Sequence, residues 1–196
     1  MTPRATASPL LTRNEIAEIS GVSINAVNKA LEQRVAKARR SRGRTLLAAD
    51  EAAALALFSE LPVSLSIKLK RELRNWIVHR TPESTEEFEL SRALRIAMTE
   101  NAADVARRAF DYVRLRDEYV EVDTGKMGGT PVIRGTRVPV RTVAQLVEGG
   151  ESRKALKEDY PHITEEAYDV AVLWAKGNPQ RGRPVGKRRV RHAAVA

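Results

Sequence analysis

Residues 129–140 read GTPVIRGTRVPV, and this run limits what the chain can fold into more than any other stretch. Two short β-branched runs, Val132-Ile133 and Val138-Pro139-Val140, flank Arg134-Gly135-Thr136-Arg137. Gly135 can take the positive φ that a tight hairpin turn uses. Pro131 and Pro139 have no amide donor, which assigns these strands to a sheet edge or a bulge. The residues after Val140 are helical in period, so the hairpin is read as the lead-in to a small helical unit. Three short helices are expected there, at about 141–148, 152–159 and 165–176. Gly149-Gly150 ends the first, Pro161 ends the second, and Thr164 caps the third. Ala167, Val170, Ala171 and Trp174 recur at i, i+3, i+4 and i+7, a stripe that must be buried.

The string GGTPVIRGTRVPV, followed by VRTVAQLVEGGESRKALKEDYPHITEEAYDVAVLWA, resembles a small prokaryotic domain long catalogued as of unknown function. That domain is associated with antitoxins of VapBC-type toxin–antitoxin pairs. The resemblance spans about residues 118–178. It implies a partner, a PIN-like toxin that is a metal-dependent ribonuclease, and it identifies no catalytic site in this chain. Such nucleases hold their metal with clustered carboxylates, which leaves a strongly negative pocket. In the wider VapB class a basic side chain is often inserted there. The resemblance therefore makes Arg134, Arg137 or an arginine of the C-terminal tail a toxin-binding candidate, without choosing among them. A buried arginine–carboxylate contact of this kind is charge-assisted and often bidentate. Many VapB proteins are short, with a ribbon or swapped-hairpin DNA-binding part, whereas this chain is longer and reads as folded nearly throughout.

The N-terminal part has a different signature. Residues 1–9 read as a flexible lead, and residues 10–62 as helix–turn–helix, basic hairpin and third helix. Thr12 precedes Arg13-Asn14-Glu15 at the spacing of a capping box. Ile16, Ala17 and Ile19 give the first helix its apolar side. Ser20-Gly21-Val22 is a turn, and Ser23 can cap a second helix with Ile24, Val27 and Leu31 at i, i+3 and i+7. The segment TRNEIAEISGVSINAVNKAL resembles the first part of the MerR-like winged helix-turn-helix. The similarity continues into a wing: Val35-Ala36-Lys37, a loop from Ala38 to Arg44, then Thr45-Leu46-Leu47. Asp50 is expected to cap a further helix ending near Leu61.

On that reading Ser23, Asn25, Asn28 and Lys29 lie where a recognition helix meets base edges and phosphates. Asn can pair with adenine in a bidentate way, and Lys reaches guanine or phosphate. Arg39, Arg40, Arg42 and Arg44 cluster on the wing, positioned to span a backbone or enter a minor groove.

Residues 63–117 form a mixed connecting region. Residues 64–80 read as a helix burying Ile67, Leu69, Leu73, Trp76 and Ile77. The alternation of Phe88, Leu90, Leu94, Ile96 and Met98 reads as a strand. Asn101 is the expected cap of a helix over about 102–118, and Tyr119–Asp123 is expected to pair with the earlier strand. Residues 179–196 form a tail. Within it, RGRPVGKRRVRH at 181–192 holds six Lys or Arg and no acid, which predicts an unfolded segment when free. Its Arg181-Gly182-Arg183-Pro184 resembles the core of an AT-hook, with further charge at Lys187, Arg188, Arg189 and Arg191. Two uses stay open: the minor groove of DNA, or an acidic protein partner.

Composition agrees with this plan. Thirty-four Lys and Arg against 25 Asp and Glu give a formal charge of +9, which favours polyanion partners. A hydrophobic content of 42% supports a real core. There is no Cys, and the three His are scattered, so neither thiol chemistry nor a structural metal is expected, and no cofactor. Gly125-Lys126-Met127-Gly128-Gly129 lacks the spacing of a phosphate-binding loop. No apolar run approaches a membrane span and no signal-peptide pattern opens the chain, so a cytoplasmic, non-enzymatic protein is expected.

The resulting expectation is a mainly α fold with small β elements (α+β): an N-terminal winged helix-turn-helix, a middle mixed segment, and a C-terminal hairpin plus three-helix domain. The function expected is that of an antitoxin. It would neutralise a PIN-like ribonuclease toxin and, as a homodimer on operator DNA, repress its own operon. The alternative is a stand-alone MerR-like transcription regulator whose C-terminal region binds a ligand or dimerises.

Overall fold

In the computed structural model, which describes residues 9–41, 43–80 and 84–180, β1 (Leu10–Thr12) runs directly into α1 (Arg13–Ser20). The expected capping box starts this helix. The Thr12 hydroxyl accepts from the Glu15 amide at 3.2 Å, and the Glu15 carboxylate accepts from the Thr12 amide at 2.7 Å. Gly21, at φ 72°, turns the chain out of α1. Ser23 then accepts from the Ala26 amide to begin α2 (Ile24–Glu32).

The basic segment is more regular than expected. β2 (Ala38–Ser41) and β3 (Arg44–Ala48) pair antiparallel, and β3 also pairs with β1, giving the order β1-β3-β2. The anticipated loop from Ala38 to Arg44 thus contracts to a turn at Gly43, whose φ is 74°. α3 (Asp50–Glu60) comes next, with Ala52, Ala53, Ala54 and Ala56 almost fully buried. It begins at Asp50 itself, and the preceding Ala49 makes no side-chain cap, so Asp50 is a first-turn residue rather than the expected cap. A carboxylate there still favours the helix dipole.

α4 (Ile67–His79) is capped by Ser66 and buries Leu73 and Ile77, but Ile67 in its first turn is 42% exposed, against expectation. The alternation over 88–98 resolves into two strands rather than one, the antiparallel hairpin β4 (Phe88–Ser91) and β5 (Leu94–Ile96). α5 (Glu100–Tyr119) is capped by Thr99, which accepts from the Ala102 amide. The expected cap, Asn101, lies inside the helix and donates its amide to Glu60 instead.

β6 (Val120–Glu121) does not pair with the β4–β5 hairpin. It pairs with β7 (Val132–Ile133), Val120 opposite Ile133 and Glu121 opposite Val132. The turn at Gly135 (φ 75°) is present, yet the returning strand makes a single bridge, Val132 to Pro139. Pro139 has no amide to extend the ladder, and Val140 already belongs to the next helix. α6 (Val140–Glu148), α7 (Arg153–Asp159) and α8 (Glu165–Gly177) follow as expected, with Ser152 and Thr164 capping the last two.

The fold is mainly α-helical with sheets of two and three strands. Among the described residues most buried apolar side chains fall into two clusters. The first joins Leu11, Ile16, Val27, Leu47, Leu73, Val105 and Val113 with the alanines of α3. The second joins Ile133, Val140, Val143, Leu156, Ile163, Tyr168 and Ala171. α8 serves both. Its Val170 lies in the first cluster, whereas Ala167, Tyr168 and Ala171 lie in the second. The residues occupy adjoining arcs of one broad apolar face, so α8 lies where the clusters meet and packs against α1, α5 and α6.

Candidate nucleic-acid interface

α2 carries Asn25, Asn28, Lys29 and Glu32 at the three- and four-residue spacings that share one face. Asn25 and Lys29 are exposed and Asn28 is half-buried. The Ser23 hydroxyl is engaged as the helix cap. Arg13 of α1 donates from Nη1 to Asn28 Oδ1 at 3.0 Å. That bond occupies the acceptor a bidentate contact to adenine would need, and leaves Asn28 with its amide donors. Asn25 makes no side-chain hydrogen bond among the described residues, so of the two asparagines it is the one whose whole amide faces outward.

Between α2 and β2 lies an open concave surface of about 900 Å³, bordered by Arg13, Asn28, Glu32, Arg34, Lys37 and Arg40. Four of these six are cations and one is an acid. Sequence reasoning found Asn28 and Arg40 but missed Arg13, Arg34 and Lys37. Arg34 stands at φ 54°, in the left-handed region that non-glycine residues seldom adopt. The only signal for it was its place just beyond the end of a helix. Arg13 and Lys37 carried no local signal at all.

Strand register divides the wing arginines. Arg40 lies opposite Thr45, and both border the concave surface. Arg39 lies opposite Leu46, and Ser41 opposite Arg44, which puts Arg39 and Arg44 on the other face of the pleat. The structure therefore brings Arg40 to α2 and separates Arg39 and Arg44 from it. Arg42 lies outside the described residues.

Buried polar contacts hold this arrangement rigid. Arg74 Nε donates to the two Glu51 carboxylate oxygens at 3.0 and 3.1 Å, with both residues almost fully buried. The same carboxylate accepts the Lys37 backbone amide at 3.1 Å, fixing where the wing leaves the core. Arg71 donates to the Gln33 carbonyl and so fixes the turn after α2. Removing either member of the Glu51–Arg74 pair would strand a buried charge.

A second buried carboxylate ties α1 to the far end of the chain. Glu15 accepts from the Tyr112 hydroxyl at 2.7 Å and from Asn178 Nδ2 at 3.3 Å, with Arg116 Nη1 at 3.5 Å. Thr12 Oγ1 donates to the Gly177 carbonyl at 3.0 Å. A Cβ on Gly177 would come within 2.3 Å of Glu15 Cγ, so only glycine allows this close approach of α8 to α1. Burial, and then the charge and hydrogen bond of Glu15, push the Tyr112 hydroxyl far above its ordinary range. Burial alone would lower the Arg116 guanidinium, but Glu15 and Asp117 outweigh it and raise it instead.

The two hairpin arginines differ. Arg134 donates to the carbonyls of Glu118 at 2.6 Å and Asp117 at 2.8 Å, closing the C-terminal turn of α5. Arg137 is exposed and makes no hydrogen bond or ion pair among the described residues. Nearby, a hydrogen bond from Lys126 holds the Glu121 carboxyl below its usual range. The tail candidates Arg181, Arg183, Lys187, Arg188, Arg189 and Arg191 lie outside the described residues. Among the described residues no cluster of three or more His, Asp or Glu is placed to hold a metal, and no helix is long and apolar enough to cross a membrane.

Residues 120–175, from β6 into α8, match a family described as a protein of unknown function, DUF433. An uncharacterized protein of Sinorhizobium fredii, y4eO, is 40% identical over 78 residues. The aligned part covers 40% of this chain and 35% of that relative. No solved structure matches the chain.

Proposed function

We propose that this chain is a DNA-binding antitoxin, which neutralises a PIN-like ribonuclease and represses its own operon. The observation that carries the DNA half is the cationic surface between α2 and the wing, with Arg13, Arg34, Lys37 and Arg40 on one side of a buried scaffold. α2 would read the major groove through Asn25 and Lys29, while the cations around it contact phosphates. A single such unit covers one half-site, so the chain would act as a homodimer on an inverted repeat. The antitoxin half is supported by the resemblance of residues 118–178 to VapB-type partners. There Arg137 is the better candidate for an acidic metal pocket, because Nε and Nη2 of Arg134 are already engaged by backbone carbonyls.

The test is growth of a bacterial host that expresses the reading frame next to this gene, with and without this chain. Arrest that co-expression relieves, together with co-purification of the two proteins, is the expected result. No arrest, or arrest that this chain leaves in place, would favour the stand-alone regulator.

A further inference from the structure

Two asparagines on one face of α2 are left in different chemical states. Asn25 and Asn28 lie three residues apart, about 4.5 Å along the helix, close to one base-pair step of about 3.4 Å. The Asn25 amide makes no side-chain hydrogen bond among the described residues, so it keeps both its acceptor and its donors. Asn28 Oδ1, in contrast, accepts from Arg13 Nη1 at 3.0 Å. A guanidinium has donors and no acceptor, so this bond also fixes which way the Asn28 amide is turned. Oδ1 faces Arg13, and Nδ2, without a partner among the described residues, is the end left to meet a base.

Arg13 acts on Asn28 from a neighbouring helix. It stands in the first turn of α1, is exposed, and makes no second hydrogen bond or ion pair among the described residues. Its remaining donors are free for a phosphate while Nη1 holds Asn28. Both residues border the concave surface that also carries Arg34, Lys37 and Arg40. An amide that can only donate distinguishes between the purines in the major groove. Guanine presents two acceptors, N7 and O6, side by side, whereas adenine presents N7 beside its N6 amino group. That amino group would meet Asn28 Nδ2 donor to donor. Asn25, with its acceptor free, retains the bidentate match to adenine.

We propose that Arg13 makes Asn28 a reader of guanine, so that α2 distinguishes two neighbouring base pairs, with adenine at Asn25 and guanine at Asn28. Arg13 is a positioning residue, because it selects the base only through the Asn28 amide. One residue type thus serves two bases, and a side chain of another helix sets the difference. The proposal rests on the DNA-reading function of α2 and the wing.

The experiment uses the full chain and duplexes that it selects from a random-sequence pool, with binding followed by fluorescence anisotropy. N25A and N28A should each lose preference at one position, which identifies the base that each asparagine meets. The natural chain should select guanine at the Asn28 position and bind about tenfold more weakly when adenine replaces it. R13A should abolish or reverse that preference. It should still select adenine at the Asn25 position, which shows that the variant is folded. Adenine selected by the natural chain at the Asn28 position would overturn the proposal. So would an R13A that binds every duplex more weakly but keeps guanine, because Arg13 would then be a phosphate contact only. An N28A that leaves every base preference intact would overturn it as well. A full chain that selects no sequence, and that is indifferent to K29A, would instead remove the DNA-reading function and the proposal with it.

Discussion

Glu15 satisfies donors from three segments that are far apart in sequence: Thr12, Tyr112 and Asn178. A carboxylate 1% exposed is sustained only by such a set of donors, with Arg116 near enough to balance its charge. Tyr112 makes this dependence measurable. Its hydroxyl is held protonated far above the usual value near 10, so above that pH the unfolded chain loses a proton that the native chain keeps. Stability from this group is complete below pH 10 and falls as the pH rises beyond it, by about 1.4 kcal/mol per unit. Urea unfolding at pH 8 and pH 11 should therefore show a larger alkaline loss for the natural chain than for Tyr112→Phe. The variant should already be weaker at pH 8, by about 1–3 kcal/mol, because Glu15 is left one donor short. Equal alkaline losses would mean that the Tyr112 hydroxyl is not buried against a charge.

The wing shows how an element turns a run of like residues into different roles. Four arginines within six positions look equivalent in sequence, but a two-residue period cannot aim them all one way. Arg40→Ala should reduce DNA affinity and lower its salt slope by about one, whereas Arg39→Ala and Arg44→Ala should have smaller effects. A salt-dependent binding series on the three single variants checks this ranking, and equal slopes for all three would refute it. How much of the fold is legible in the sequence tracks the range of the interactions. The capping box at Thr12, the Ser23 cap, the turn at Gly21 and the three C-terminal helices rest on contacts within a few residues, and all were legible. Asn101 bonding Glu60 rather than capping its helix, β6 choosing β7, and the buried Glu51–Arg74 pair depend on segments brought together only by folding. Within the candidate site, Asn25, Lys29 and Arg40 carried a local signal. Arg13 and Lys37 did not, because only the closeness of α1, α2 and β2 puts them on one surface.

At the scale of the molecule, α8 contributes buried residues to both clusters, and Tyr119 and Val120 also pack against both. Val170 and Leu173 of α8 pack with the first, and its Tyr168, Ala171 and Trp174 with the second. Neither cluster can lose α8 and stay closed, so the two should unfold together. The two tryptophans report one cluster each, Trp76 on the first and Trp174 on the second. Urea transitions followed by fluorescence in Trp76→Phe and Trp174→Phe should share one m-value and track each variant's own circular dichroism curve. A fluorescence transition displaced from the circular dichroism of the same variant would show that α8 releases one cluster before the other. The bond between Thr12 and Gly177 has a further meaning for how the protein is made. α1 receives a closing contact from a residue 165 positions later, so the unit formed by α1, α2 and the β2–β3 hairpin cannot finish folding until Gly177 has left the ribosome. A chain cut short before Gly177 by a nonsense codon or a protease would keep every residue of α2 and the wing, yet lack the end that sets them in place.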